Sequence, residues 1–280
     1  MNKIKTYICG CAKDVGSYLD DVFNNIKIIS KLFNDFHILI YYDESNDNTL
    51  EKLNQYYEYS EYYQNKMTII IGKDPLTNIR TQNIANARNH LLHKMIELDN
   101  DEFQYFIMMD MDEVNSKKVN ISALQNYLQY EITGNPLPWD ALSFNRIMYY
   151  DLWALSIDPY GFSCNHYENT HKVKNQMIHF LKEELGKIVL KNPNTGLLPC
   201  ISAFNGFAIY RKNKFINIKY EWNIHKTLII YPREKIDKMS HAVFQHPISR
   251  HDDCEHRYFH IRASQLNKAR ICISPSCLFI

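Results

Sequence analysis

An α/β fold wound about an open sheet is predicted by three features of this chain. Short apolar runs alternate with helix-periodic stretches through the first 110 residues. The fourth run, Phe106-Ile107-Met108-Met109, breaks off at Asp110-Met111-Asp112-Glu113. No linker, low-complexity tract or internal repeat interrupts the pattern, so one continuous domain is expected. Strand, helix and strand in alternation is the pattern of a doubly wound, Rossmann-like sheet with right-handed crossovers.

Each element follows from its own periodicity. Lys5 to Gly10 is a first strand. Tyr18 to Phe33 places Leu19, Val22, Phe23, Ile26, Ile29 and Leu32 at helical spacing. Phe36 to Tyr42 is a second strand, stopping at Asp43. The polar run Asp43 to Thr49 is a loop before a helix from about Leu50, with Asp47 or Thr49 as N-cap. Lys66 to Gly72 is a third strand. Thr81 to Leu98 is a helix with Ile84, Ala87, Leu91, Leu92 and Met95 inward. Beyond Glu113 the pattern loosens: Ala141 to Tyr150 and Phe204 to Tyr210 are strand-like, with Pro136, Pro138, Pro159 and Gly161 punctuating the loops.

The bulk composition excludes several classes. With 32 basic and 31 acidic side chains, the chain has no electrostatic case for nucleic acid as its main partner. A hydrophobic share of 45% is that of a globular protein. No run approaches the roughly 20 apolar residues of a membrane span, and the N-terminus lacks the apolar stretch of a signal peptide. Seven cysteines without a Cys-x-x-Cys pair fit a reduced, cytosol-like compartment.

The chemistry concentrates at Asp110-Met111-Asp112. Ligands of open α/β sheets bind outside the carboxyl ends of the strands. Hard cations such as Mg²⁺ and Mn²⁺ favour carboxylate oxygens there and bridge them to phosphates. A metal-dependent enzyme acting on a phosphorylated substrate is the reading, against the plain one of a strand followed by an acidic turn. No Gly-x-Gly-x-x-Gly and no Gly-Lys-Ser/Thr loop is present, so a nucleotide must be held some other way. Asp43 can accept hydrogen bonds from a ribose or base, or simply belong to a capping loop. Arg80 and Arg88 lie two helical turns apart, and can contact a diphosphate, pair with an Asp of the turn, or face solvent.

In order and spacing these motifs resemble a GT-A glycosyltransferase, and more narrowly the capsule-associated and mannan-type mannosyltransferases and their viral relatives. The resemblance runs from Ile4 to about His260. It rests on the first strand with its Lys13-Asp14 turn, Tyr42 to Thr49, and Arg80 with Ala85-x-Ala87-Arg88-Asn89. Asp110-Met111-Asp112, Tyr149 to Leu155, Phe204 to Tyr210 and Cys254-Glu255-His256 complete it. It implies a nucleotide-sugar half to about residue 113 and an acceptor half from there to residue 280. It places Cys11, Asp43, Arg80, Arg88 and Asp110 against a UDP- or GDP-linked sugar, and Asp110, Asp112 and His256 around Mn²⁺ or Mg²⁺. Asp151 and Glu255 are the carboxylates for a catalytic base, which an inverting transfer requires. The acceptor implied is a glycan or glycoprotein, and the compartment is the cytoplasm, that of the host cell if the chain is viral. The sequence departs from the family at Asn205-Gly206, where Gly-Gly is frequent, and at Ser156, where Arg is common.

Two other readings use the same residues. In a haloacid-dehalogenase-type phosphatase Asp110 would be the nucleophile, Asp112 the acid and base, and Asp252-Asp253 a late acidic pair. In a catalytically degenerate fold the chain would be a carbohydrate-binding module. Trp153 is a candidate for stacking on a sugar, although its neighbours Leu152 and Ala154 make a core position the commoner outcome.

Overall fold

A computed structural model describes residues 4–98, 102–132, 138–167, 169–192, 196–231 and 252–280. Its strands are β1 (Lys5–Ala12), β2 (Asp35–Tyr42), β3 (Met67–Ile71), β4 (Tyr105–Asp110), β5 (Ala141–Asn145), β6 (Leu198–Cys200), β7 (Phe207–Arg211) and β8 (Ile271–Cys277). They form one eight-stranded sheet in the order β3-β2-β1-β4-β7-β5-β8-β6. The first four are parallel, as the alternation predicts. The rest are not uniformly so: β7 runs antiparallel to both β4 and β5, β8 is parallel to β5, and β6 is antiparallel to β8. The sheet is therefore mixed, with its switch point between β1 and β4, where the chain order turns from leftward to rightward growth.

Helices α1 (Leu19–Ser30), α2 (Thr49–Tyr59) and α5 (Ile121–Ile132) belong to one side, and α3 (Arg80–Glu97) and α9 (Glu255–Asn267) to the other. The alternation of a strand decides this division. Along β4, Tyr105, Ile107 and Met109 join the core that contains Leu19, Val22 and Leu124, while Phe106 and Met108 join the core that contains Leu91, Met95 and Phe259. Both faces of β4 are covered, which is why its sequence is an unbroken apolar run. Beyond the switch point α6 (Thr170–Lys191) packs Met177, Leu181 and Leu185 with Ile273 of β8. The shorter helices are α4 (Glu113–Ser116), α7 (Lys212–Phe215) and α8 (Ile224–Ile230). Among the described residues no helix is long and apolar enough to cross a membrane.

Three strand expectations are corrected. The strand predicted over Ala141 to Tyr150 ends at Asn145, where its register with β8 shifts. The strand predicted from Phe204 begins at Phe207, because Asn205 and Gly206 both have positive φ, 55° and 83°, and turn the chain out of the extended conformation. β8 has no counterpart among the expected strands, since Pro275 and two serines, Ser274 and Ser276, dilute its apolar pattern. Of the loop prolines, Pro136 lies outside the described residues.

The loops after β1 and β2 are laced to each other. Asp14 accepts from the Asn46 N–H at 2.6 Å while its own N–H donates to Ser45 Oγ at 3.0 Å. Asp47 accepts from the Gly16 N–H at 2.8 Å and from the Thr49 N–H at 3.0 Å, and Thr49 Oγ1 takes the Val15 N–H at 2.8 Å. Asp47 thus holds both a helix start and the neighbouring loop.

Ile107 is fully buried at the centre of the sheet. Replacing it with Ala is expected to lower stability by about 2–5 kcal/mol. In urea unfolding this is read as a lower midpoint at an unchanged slope.

Candidate active site

The turn after β4 owes its shape to Met111. This side chain is buried and lies directly over Gly10 of β1, at a distance that a Cβ on residue 10 would violate. With the middle residue anchored inward, Asp110 and Asp112 both remain on the solvent side and line one cleft of about 440 Å³. The cleft opens at the carboxyl ends of β1 and β4, at the switch point of the sheet. Asp112 also caps α4, accepting from the Val114 N–H at 3.2 Å.

The residues singled out for donor binding converge here. Cys11, Asp43, Arg80, Arg88 and Asp110 all line the cleft. Arg80 is exposed at the start of α3, and Arg88, two turns on, is buried at its floor. Burial and the Asp110 carboxylate push the Asp112 carboxyl up to about 6, against the opposing pull of the Val114 N–H and Arg80. Burial likewise raises Asp43, with Lys13 opposing. Burial lifts the Cys11 thiol to about 12, so Cys11 is a neutral wall rather than a nucleophile.

Beneath the cleft Arg88 bridges three segments. Its Nη2 lies 3.2 Å from Asp110 Oδ1, and its Nη1 contacts both Glu255 Oε1 and His256 Nε2. The guanidinium sits over Phe204, 4.6 Å from the ring centroid. Burial works against its charge, but Glu255 and Asp110 outweigh that and raise its pKa. Glu255 and His256 are themselves buried, and neither lines the cleft. The His256 ring stacks on Phe204 at 3.9 Å, and burial, Arg88 and His260 keep it neutral. The structure thus sets His256 behind Arg88 rather than beside Asp112. Of the other histidines near this end of the chain, His260 is buried against Ser202 and Tyr210, and His241, His246 and His251 lie outside the described residues. Among the described residues no group of three or more His, Cys, Asp or Glu side chains is arranged to hold a metal ion.

Asp151 stands apart from Glu255 in its surroundings. It is only partly buried by exposed surface, its Oδ1 accepts the Ala154 N–H at 3.1 Å, and its own N–H donates to Asn205 Oδ1 at 3.3 Å. Burial, opposed by the Ala154 N–H, brings its carboxyl up to about 6. Trp153 packs against the core that contains Phe106 and Phe204. The late acidic pair is split, since Asp253 is fully buried in an ion pair with Arg257.

Sequence reasoning overlooked the residues that brace the site. Asn115 donates to Asp110 O at 2.7 Å and to Gly206 O at 2.6 Å. Arg146 donates to Asn205 O, Val114 O and Asn115 Oδ1 at 3.0, 2.6 and 2.6 Å. Tyr150 donates its hydroxyl to Asp110 Oδ2 at 2.9 Å. The only advance signal was Asn205-Gly206, a pair of residue types that tolerate positive φ.

No family model matches the sequence, and a search of the curated proteins finds no significant match. Solved structures are similar in chain path. The 1–349 fragment of S. aureus TarS in complex with UDP-GlcNAc is 12% identical with a TM-score of 0.45, covering 99% of this chain and 57% of that one. Glucosyl-3-phosphoglycerate synthase from Mycobacterium tuberculosis, in complex with Mn²⁺, UDP and phosphoglyceric acid, is 9% identical with a TM-score of 0.45, covering 85% and 66%. Mannosyltransferase PcManGT from Pyrobaculum calidifontis, in complex with GDP-Man and Mn²⁺, is 13% identical with a TM-score of 0.36, covering 57% and 45%. The chain spans 59% of the TarS 1–349 fragment and 36% of the longer TarS chain. Likenesses this distant carry no argument about function.

Removing one member of a buried ion pair strands the other. Arg88→Met is expected to destabilise by about 3–5 kcal/mol, and adding Glu255→Leu to recover most of it. Chemical denaturation of the single and double variants measures this coupling.

Proposed function

We propose that the chain is a metal-dependent glycosyltransferase of the GT-A kind, moving a sugar from a UDP- or GDP-linked donor to a glycan or glycoprotein acceptor. One observation carries the reading: Asp110 and Asp112 share a single cleft with Arg80 and Arg88 at the sheet's switch point. Acids alone would repel a diphosphate, and arginines alone would need no acids. The combination suits a divalent ion and a diphosphate bound side by side. By its motifs the chain resembles the capsule-associated and mannan-type mannosyltransferases and their viral relatives, and the reading has it working in a cytoplasmic compartment.

The donor set fits a hard cation at Asp112 and Asp110. Burial, with the Asp110 carboxylate adding to it, raises Asp112 to about 6, a penalty that a nearby positive charge offsets. Asp112 with Asp110 would hold Mn²⁺ or Mg²⁺; His256, turned to Arg88, would join only after a rearrangement. Bound there, the ion supplies Lewis-acid stabilisation of the departing nucleoside diphosphate. The chain's own residues do the rest. Arg80 at the cleft mouth binds phosphate oxygens, and Arg88 fixes Asp110 from below. Asp43 accepts from the ribose or base. Asp151, largely ionised at neutral pH yet able to take a proton, serves as base toward an acceptor hydroxyl in an inverting transfer. Glu255, occupied by Arg88, is the less suited of the two.

A thermal-shift screen of UDP- and GDP-sugars with and without Mn²⁺ tests this reading. A donor at one hundred times its dissociation constant adds about 2.7 kcal/mol to stability. Shifts by no nucleotide sugar under either condition would overturn it. Asp112→Ala is expected to abolish transfer with the fold intact, and full activity in EDTA would remove the metal from the account.

The pH dependence has a defined sign. Asp112 titrates higher in the folded chain than an ordinary carboxyl near about 3.9, so its favourable contribution is complete below about pH 4 and lost as pH rises through about 6. Asp112→Asn is therefore expected to raise the unfolding temperature at pH 7 while removing activity. Wild-type turnover is expected to fall as pH drops through about 6, where Asp112 and Asp151 both gain protons.

A further inference from the structure

Tyr150 reaches Asp110 across a gap that the backbone keeps open. Its hydroxyl donates to Asp110 Oδ2 at 2.9 Å. The phenol passes over Gly206, where a Cβ would meet the hydroxyl oxygen at 2.6 Å. Gly206 has φ +83° and sits beside the equally left-handed Asn205, so the turn both permits and requires a small residue at that point. With Oδ1 facing Arg88 at 3.2 Å, both oxygens of Asp110 are engaged.

A donor hydrogen on Oδ2 takes one of its lone-pair sites and draws charge from it, so this bond weakens the oxygen as a ligand for a cation. We propose that Tyr150 is a latch on Asp110: its hydroxyl competes with the divalent ion for Oδ2, and ion binding releases the phenol toward the acceptor side. This rests on the glycosyltransferase reading, and specifically on Asp110 and Asp112 as the metal residues. The segment is built for such a release without disturbing Asp151. It is fixed at one end by the three bonds of Arg146 and at the other by the Tyr150 and Asp151 N–H groups on Asn205 Oδ1, so only the phenol side chain has to move. Between them Ile147 and Met148 are 77% and 81% exposed, and Tyr150 is itself partly exposed. The phenol can therefore turn outward while the carboxylate stays held by the Ala154 N–H.

Equilibrium binding of Mn²⁺ alone, read from the electron paramagnetic resonance signal of the free ion, tests the latch on the full chain. Wild type, Tyr150→Phe and Asp112→Ala are compared without nucleotide. Losing a competing hydrogen bond of about 1 kcal/mol is expected to tighten binding about fivefold in Tyr150→Phe. The tyrosine ultraviolet difference spectrum that Mn²⁺ produces in wild type is expected to vanish in that variant, whose metal-free unfolding temperature should fall by no more than about 2–4 °C. Equal or weaker binding by Tyr150→Phe overturns the latch and leaves the metal reading standing. Silence in both wild type and Tyr150→Phe, or wild-type affinity in Asp112→Ala, overturns the metal reading and the latch with it.

Discussion

A buried guanidinium organises this molecule. Arg88 comes from the inner face of α3, Asp110 from the end of β4, and Glu255 and His256 from the first turn of α9, 167 residues along the chain from the arginine. A charge this enclosed is tolerable only when carboxylates accompany it. The first half of the chain therefore carries a cation that shares its charge between its own Asp110 and Glu255 of the last helix. Phe204, under the guanidinium and against His256, seals the cluster from the sheet side. The position of Asp110 in the cleft is thus set by a cluster that reaches back to the far end of the chain.

A second frame, in which one guanidinium meets neutral acceptors, fixes the other edge of the same acid. Asn115, Arg146 and the Asn205-Gly206 turn share bonds through Asp110 O, Gly206 O, Asn205 O and Val114 O. Asn205 alone ties β5, through Phe144 O, to the segment bearing Tyr150 and Asp151. A buried network of this kind is worth holding only when every member is satisfied. Here the backbone carbonyls exposed by the end of β4 and by the turn before β7 supply the acceptors.

The sequence made the first half legible because its physics is local. Apolar runs of strand length, helix-periodic stretches and the abrupt acids after Met109 each announce themselves within a few residues, and β1 to β4 with their helices lie where the pattern puts them. The cleft residues were legible for the same reason, standing at strand ends or at the start of α3. The second half was harder, since its order comes from long-range partners. β8 finds β5 and β6 from the far end of the chain, and nothing within its own diluted sequence says so. The brace residues Asn115 and Arg146 look like ordinary polar positions until Gly206 and Asn205 are beside them. His256 shows what residue type alone leaves out: its ring is enclosed by Arg88 and Phe204.

The lacing between the loops after β1 and β2 bears on the speed and thermodynamics of ligand capture. Asp14, Ser45, Asp47 and Thr49 close that wall of the cleft with bonds internal to the chain. A ligand arriving there meets groups already ordered, and loses none of its binding energy to immobilising them. The opposite wall, residues 74–80, is tied chiefly within itself, through Thr77 and Asn83. Entropic resistance to binding is therefore concentrated on one side of the cleft, and heat-capacity or association-rate changes that track loop ordering belong to the Thr77 wall.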